Sequence, residues 1–173
     1  LWDDTSLENF LRDVCSEKAL TAYEHLNKDD YPQAKADFAK WFLMLVFGGI
    51  YVDLKSGIAN MAKLFEYEPL PPFVVMSYAT PQNNNALSPE LDLFGRGEYV
   101  AWALISAPEH PLWLLVIKEM IGRIYALVEQ HKTDVECDYY KNILPKTSFY
   151  PVNMGRELVR RTTGAVMYTE VLN

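Results

Sequence analysis

The sequence is short of several things, and each shortage closes a line of interpretation. Cys15 and Cys137 are the only cysteines in 173 residues. They could form one disulfide but no disulfide framework, and two free buried thiols satisfy the sequence equally well. The fold must therefore rest on a packed core. Histidine occurs three times, and no spacing of His with Cys makes a zinc site. Basic residues are in deficit, 16 Lys and Arg against 23 Asp and Glu, for a formal charge of -7. That balance argues against a broad basic face and against nucleic acid as a partner. An anionic ligand would have to be held by a local cation or a helix N-terminus. Long apolar runs are also missing. The longest, Trp41 to Val52, is too short to span a bilayer and is interrupted by Gly48 and Gly49, so no membrane span is expected. Asp3, Asp4 and Glu8 do not suit the basic start of a secretory signal. No repeat, low-complexity tract or linker divides the chain, and residues 1–173 read as one domain.

What is present can build a core. Half of the residues are hydrophobic and 13% are aromatic. "TSLE" at Thr5 to Glu8 has capping-box spacing and predicts a helix start. Leu20, Tyr23 and Leu26 space out a second helix over about 17–26. In the third, Asp30 can cap, Pro32 sits in the first turn, and Ala34, Phe38, Trp41, Phe42, Leu45 and Val46 recur at three- and four-residue steps. Gly48 can take the left-handed conformation that ends it. Ile50 to Asp53 then reads as a short buried strand. "FVVMS" at 73 to 77, Leu91 to Phe94 and Val100 to Ser106 are further strand candidates, with a polar loop, "ATPQNNNALSPE", among them. A long amphipathic helix is expected from Pro111 to about His131, with Leu112, Leu115, Val116, Met120, Ile124 and Leu127 inward. "ILPKTSFYPVN" reads as extended, and 155–161 and 164–172 as helical. Interleaved helices and apolar strands predict an α/β fold with a sheet covered on both faces. Ligands in such sheets bind at the carboxyl ends of strands, where Asp53 stands.

Asp37 and Lys40 lie three apart, on one side of the third helix. From Lys40 to Gly48 is about 12 Å of helix. From Gly49 to Asp53 is about 13 Å of strand. A reversal at the two glycines therefore brings Asp53 back beside Asp37 and Lys40. Such a cluster suits a pyrophosphate-linked sugar. A carboxylate accepts from sugar hydroxyls, a lysine meets sugar or phosphate oxygens, and a strand-end carboxylate can hold a divalent ion.

The stretch "YPQAKADFAKWFLMLVFGGIYVDLK" resembles the central signature of the DXD glycosyltransferases of family 32, which include yeast initiating mannosyltransferases and, more distantly, glucosylating bacterial toxins. Ala36, Asp37, Gly48, Gly49, Tyr51 and Asp53 match at the family's spacing, and "LWDD" at 1 to 4 and "SAPEHPLW" at 106 to 113 are also similar. "TTGAVMYTE" at 162 to 170 is a looser match to a Thr-Gly-Pro segment. The resemblance implies a GT-A type, Rossmann-like α/β domain, of which 1–173 would be a part. It implies retaining transfer of a sugar from a nucleoside diphosphate to a carbohydrate acceptor, in the cytoplasm or the Golgi lumen. It implies donor contacts for Asp37 and Lys40, with Gly49 and Tyr51 shaping the entry to the strand. Asp53 would meet ribose or a Mn or Mg ion.

Two departures bear on chemistry. Lys40 stands where the family has arginine and lacks its planar fork. Lys55 stands where the motif has its second aspartate, which removes a metal ligand and adds a cation. Asp53 and Lys55 would then manage the diphosphate charge together, or the site would bind without transferring. The plainer readings are a helix-surface Lys40 paired with Asp37 or Glu66, and a solvated Lys55. His110 is expected to position the long helix, and Trp102 and Trp113 to be buried. Ser56 and Ser106 have no neighbouring base, so a hydrolase triad has no support.

Overall fold

Three helices, each with a distinct local cause, open the chain. Helix α1 (Asp4–Val14) is capped by Asp3, whose carboxylate accepts from the Ser6 amide at 2.7 Å while the Ser6 hydroxyl accepts from the Asp3 amide at 3.0 Å. This reciprocal box lies two residues before the expected one, and Thr5 falls inside the first turn. Helix α2 (Glu17–His25) is capped by Ser16 at 3.3 Å from the Ala19 amide. Helix α3 (Pro32–Phe47) buries Ala34, Phe38, Ala39, Trp41, Phe42 and Met44 on its apolar stripe. In the computed structural model the described residues are 2–26, 32–56, 62, 66, 71–74, 76, 98–134 and 158–173. The cap expected of Asp30, the strand expected at 91–94, the polar loop at 79–90 and the extended segment at 143–153 lie outside them, as does Cys137.

Gly48 ends α3 with φ +57°, a left-handed turn that costs glycine little. A side chain here would also have nowhere to go. A Cβ on Gly48 would stand 2.4 Å from the Pro108 nitrogen and 2.6 Å from the Ser106 carbonyl oxygen. The chain then enters β1 (Gly49–Val52), and Asp53 lies just beyond it. Strands β2 (Phe73–Val74) and β3 (Ala103–Ser106), helix α4 (Pro111–Asp134), a helical turn at 158–162 and helix α5 (Ala165–Leu172) complete the described elements.

The protein is mixed α/β, mostly helical, with a three-stranded antiparallel sheet in the order β1-β3-β2. Gly49 pairs with Ser106 and Val52 with Ala103, while Phe73 pairs with Ser106 on the other side. The strand expected over Val100 to Ser106 is confined to Ala103–Ser106, although the Val100 amide still reaches the Met76 carbonyl at 2.8 Å. The expectation of a doubly covered strand fails for β1. Among the described residues it is an edge strand, and Ile50 is 37% exposed. A four-residue apolar run looks the same whether it is buried on both sides or at an edge.

The core lies where α3, α4 and α5 meet. The rings of Trp41, Trp113 and Tyr168 stack with centroids 5.1 to 6.1 Å apart. Helix α4 buries Trp113, Val116, Ile117, Met120 and Ile124. Val116, Met120 and Ile124 lie on the stripe as expected, whereas Leu115 is 57% exposed and Trp113 is buried in its stead. Trp113 is buried as expected, but Trp102, expected to be buried as well, is 37% exposed. His110 positions α4 as expected: its Nδ1 accepts from the Leu112 amide at 3.4 Å and its ring stacks on Phe73 at 5.0 Å. The Ser106 hydroxyl accepts from Trp113 Nε1 at 2.7 Å, a core role. Among the described residues no helix is long and apolar enough to cross a membrane.

Candidate functional site

The reversal at Gly48 and Gly49 lays β1 back along α3 and gathers a polar cluster at its far end. Lys40 is not on the surface, as its helix position alone would place it. Only 3% of its side chain is exposed. Its ammonium donates to Asp37 Oδ1 at 2.6 Å and to the Ala101 carbonyl at 3.1 Å. It also lies 4.3 Å from the centre of the Trp41 ring and 5.4 Å from that of Tyr51. The aliphatic stem is buried and the charge is matched by a carboxylate and two ring faces, which is how a lysine survives in such a place.

Tyr51 links the helix to the strand tip. Its hydroxyl donates to Asp53 Oδ1 at 2.7 Å. The Asp53 amide donates to the Trp102 carbonyl at 2.9 Å, and the Asp53 carbonyl accepts from the Ser56 amide at 2.8 Å. That turn carries Leu54 and Lys55 at its exposed centre. Lys55 is exposed, two residues past Asp53, and has no ion-pair partner among the described residues. Gly49, with φ +85°, contributes backbone only and leaves open space where a side chain would project.

Burial raises the Asp37 carboxyl above its ordinary range. Lys40 draws it back down, and the negative charge of Asp53 pushes it up again. The Tyr51 phenol is raised too, by burial, by its hydrogen bond to Asp53 and by the charges of Asp53 and Asp37. The two carboxylates therefore act on one another within a single site, as the matched lengths of helix and strand require.

Two residues at this site escaped the reading by spacing. The Thr163 hydroxyl is 3.5 Å from Asp37 Oδ2, and the Thr163 carbonyl accepts from Trp41 Nε1 at 2.8 Å. Gly164 lets the carboxylate approach, because a Cβ there would lie 3.2 Å from Asp37 Oδ2 and 3.0 Å from the Arg160 Cα. Asp37 and Trp41, one turn apart on α3, thus grip the corner before α5. The only sequence signal for that corner was the loose Thr-Gly match. Nearby, buried Glu98 pairs with Arg160.

Chemically, the cluster offers two carboxylates, a buried ammonium and a phenol, with the exposed Lys55 two residues beyond Asp53. Among the described residues no group of three or more His, Cys, Asp or Glu side chains is arranged to hold a metal ion. Asp53 offers a single carboxylate, one oxygen of which already accepts from Tyr51, so it is a poor fit as the sole ligand of a divalent cation. Comparison of the chain with protein-family models, with curated proteins and with solved structures finds no match.

Proposed function

We propose that this chain is the nucleotide-sugar-binding part of a retaining glycosyltransferase with GT-A type architecture, transferring a sugar from a nucleoside diphosphate to a carbohydrate acceptor. The observation that carries the reading is the convergence of Asp37, Lys40, Tyr51 and Asp53 at the carboxyl end of β1. Lys40 favours the ionised form of a largely covered Asp37, which then accepts hydrogen bonds from donor-sugar hydroxyls. Asp53, held by Tyr51, faces the ribose hydroxyls. Lys55, exposed two residues beyond Asp53, supplies positive charge to the diphosphate.

In front-face transfer the bond from the anomeric carbon to the diphosphate breaks, and the bond to the acceptor oxygen forms on the same face. The acceptor proton passes to the departing diphosphate oxygen, so no protein base is required. A Mn or Mg ion, when bound, would neutralise leaving-group charge. The residues named here bind and orient the donor with or without it.

The test is donor binding by calorimetry with a panel of UDP- and GDP-sugars, together with donor hydrolysis in EDTA and in manganese. Binding that is lost in Asp37→Asn and Asp53→Asn supports the reading; no binding by any nucleotide sugar overturns it. A second reading, a binding domain that no longer transfers, is favoured by the lysine at position 55 and the engaged oxygen of Asp53. Binding without turnover in either medium selects it. Manganese-dependent turnover gained by Lys55→Asp would show that the rest of the transfer site is intact.

A further inference from the structure

We propose that Thr163 is a positioning residue for Asp37: its buried hydroxyl holds the Oδ2 oxygen of that carboxylate, as Lys40 holds Oδ1, and so fixes the direction in which Asp37 meets a sugar hydroxyl. This rests on the sugar-transfer reading for the ligand alone; the hold of Thr163 on Asp37 involves only atoms of this chain.

The Thr163 side chain is fully buried, so its hydroxyl proton must go to a protein group. Two acceptors lie within reach, the Val159 carbonyl at 3.2 Å and Asp37 Oδ2 at 3.5 Å. The nearer of them is already occupied. A carbonyl oxygen has two lone pairs, and the main-chain amides of Thr163 and Gly164 reach that of Val159 at 2.9 and 3.0 Å. Asp37 Oδ2 has no other hydrogen-bond donor among the described residues, because Lys40 bonds to Oδ1. A hydrogen bond to an ionised carboxylate is also about twice as strong as one between neutral groups. The last torsion of an aspartate is soft, so a small turn of the carboxylate closes the remaining distance.

The corner keeps the hydroxyl in place. Its carbonyl accepts from Trp41 Nε1 at 2.8 Å, and Trp41 is fully buried one turn beyond Asp37 on α3. The same helix thus supplies the carboxylate and the indole that sets the hydroxyl against it. Gly164 completes the fit, since a Cβ there would press on the Arg160 backbone at 3.0 Å and on Oδ2 at 3.2 Å. Around Asp37 stand Lys40 on its own helix, Asp53 with Tyr51 at the end of β1, and Thr163. Lys40 and Thr163 favour the ionised carboxylate, and Asp53 opposes it. With one donor on each oxygen the carboxylate cannot swing. Its side chain is still 22% exposed, which leaves lone pairs for a ligand hydroxyl.

The test sets Thr163→Val, which keeps the shape and loses the hydroxyl, beside Thr163→Ser, which keeps the hydroxyl. The first measurement needs no ligand: titration of the Asp37 carboxyl carbon by NMR. Thr163→Val should move that titration to higher pH, because a hydrogen bond to the ionised form is gone, and Thr163→Ser should leave it in place. The second is calorimetry with UDP- and GDP-sugars. Thr163→Val should bind the donor roughly tenfold more weakly than the unaltered protein, and Thr163→Ser within about twofold of it. An unmoved titration in Thr163→Val overturns the proposal, as does a serine variant that shifts as far as the valine one. Undiminished donor binding by Thr163→Val overturns it too. If the unaltered protein binds no nucleotide sugar while Thr163→Val moves the titration, the sugar-transfer reading fails and the hold of Thr163 on Asp37 stands. Should Thr163→Val fail to fold, the smaller Thr163→Ala takes its place with the same expected shifts.

Discussion

Replacing Lys40 with methionine separates the electrostatics of the cluster from its packing. Methionine approximates the length and volume of the lysine stem, so the cavity term is small. What is lost is the ammonium. Its charged hydrogen bond to Asp37 contributes about 1.5 to 3 kcal/mol, and the abandoned Ala101 carbonyl adds about 1 kcal/mol. The Asp37 side chain is 22% exposed, so water relieves part of the unpaired charge. Lys40→Met should therefore cost about 3 kcal/mol, toward the lower end of the range for removing one partner of a buried pair. Asp37→Asn added to it should recover roughly half, because the orphaned carboxylate is gone.

The pH dependence has a definite sign. The folded-state carboxyl of Asp37 lies above its ordinary 3.8, so its ionisation costs stability in full above the folded pKa, and the cost is relieved as pH falls through it. Removing Lys40 removes an influence that holds that pKa down, and the window widens upward. Relative to the double variant, Lys40→Met should regain stability as the pH is lowered from neutrality. Urea denaturation followed by far-ultraviolet circular dichroism at several pH values measures all of this. A loss below about 1 kcal/mol, or a double variant no more stable than the single one, would refute the reasoning.

Two further substitutions address the reversal and the covered thiol. Gly48→Ala should cost about 3 kcal/mol or more, through its left-handed backbone and a Cβ driven against Pro108, whereas Gly49→Ala, with open space around it, should cost about 1 kcal/mol; thermal and urea unfolding compare them. Burial pushes the Cys15 thiol up to about 12, so in a Cys137→Ser background its reaction with a disulfide reagent at mildly alkaline pH should be slower in the folded protein by roughly 100-fold than in urea.

The parts of this fold that are local in sequence were legible in it. The stripe on α3, its end at Gly48 and the return of Asp53 beside Asp37 follow from helix period, glycine chemistry and the rise per residue of helix and strand. What was not legible depends on residues far apart in the chain. Whether β1 is central or an edge is decided by which strands pair with it, and its four residues hold no record of that. The burial of Lys40 depends on the Ala101 carbonyl and the Tyr51 ring, whereas spacing on α3 alone suggests a solvated face. Thr163 and Gly164 reach Asp37 through the placement of α5, which no short-range pattern encodes. Leu115 was misplaced because α4 is apolar on more than one side, and Trp113, as the bulkier residue, is buried in its stead.

The stacked rings of Trp41, Trp113 and Tyr168 have a consequence for how the protein is made. Three helices contribute one ring each, and the last is separated from the first by most of the chain. At ordinary translation speeds roughly ten seconds pass between synthesis of the first ring and the third. Throughout that interval the nascent polypeptide presents an unfilled apolar slot outside the ribosome. Final closure of the core is therefore a late event, and chaperone occupancy should fall sharply once Tyr168 has cleared the exit tunnel.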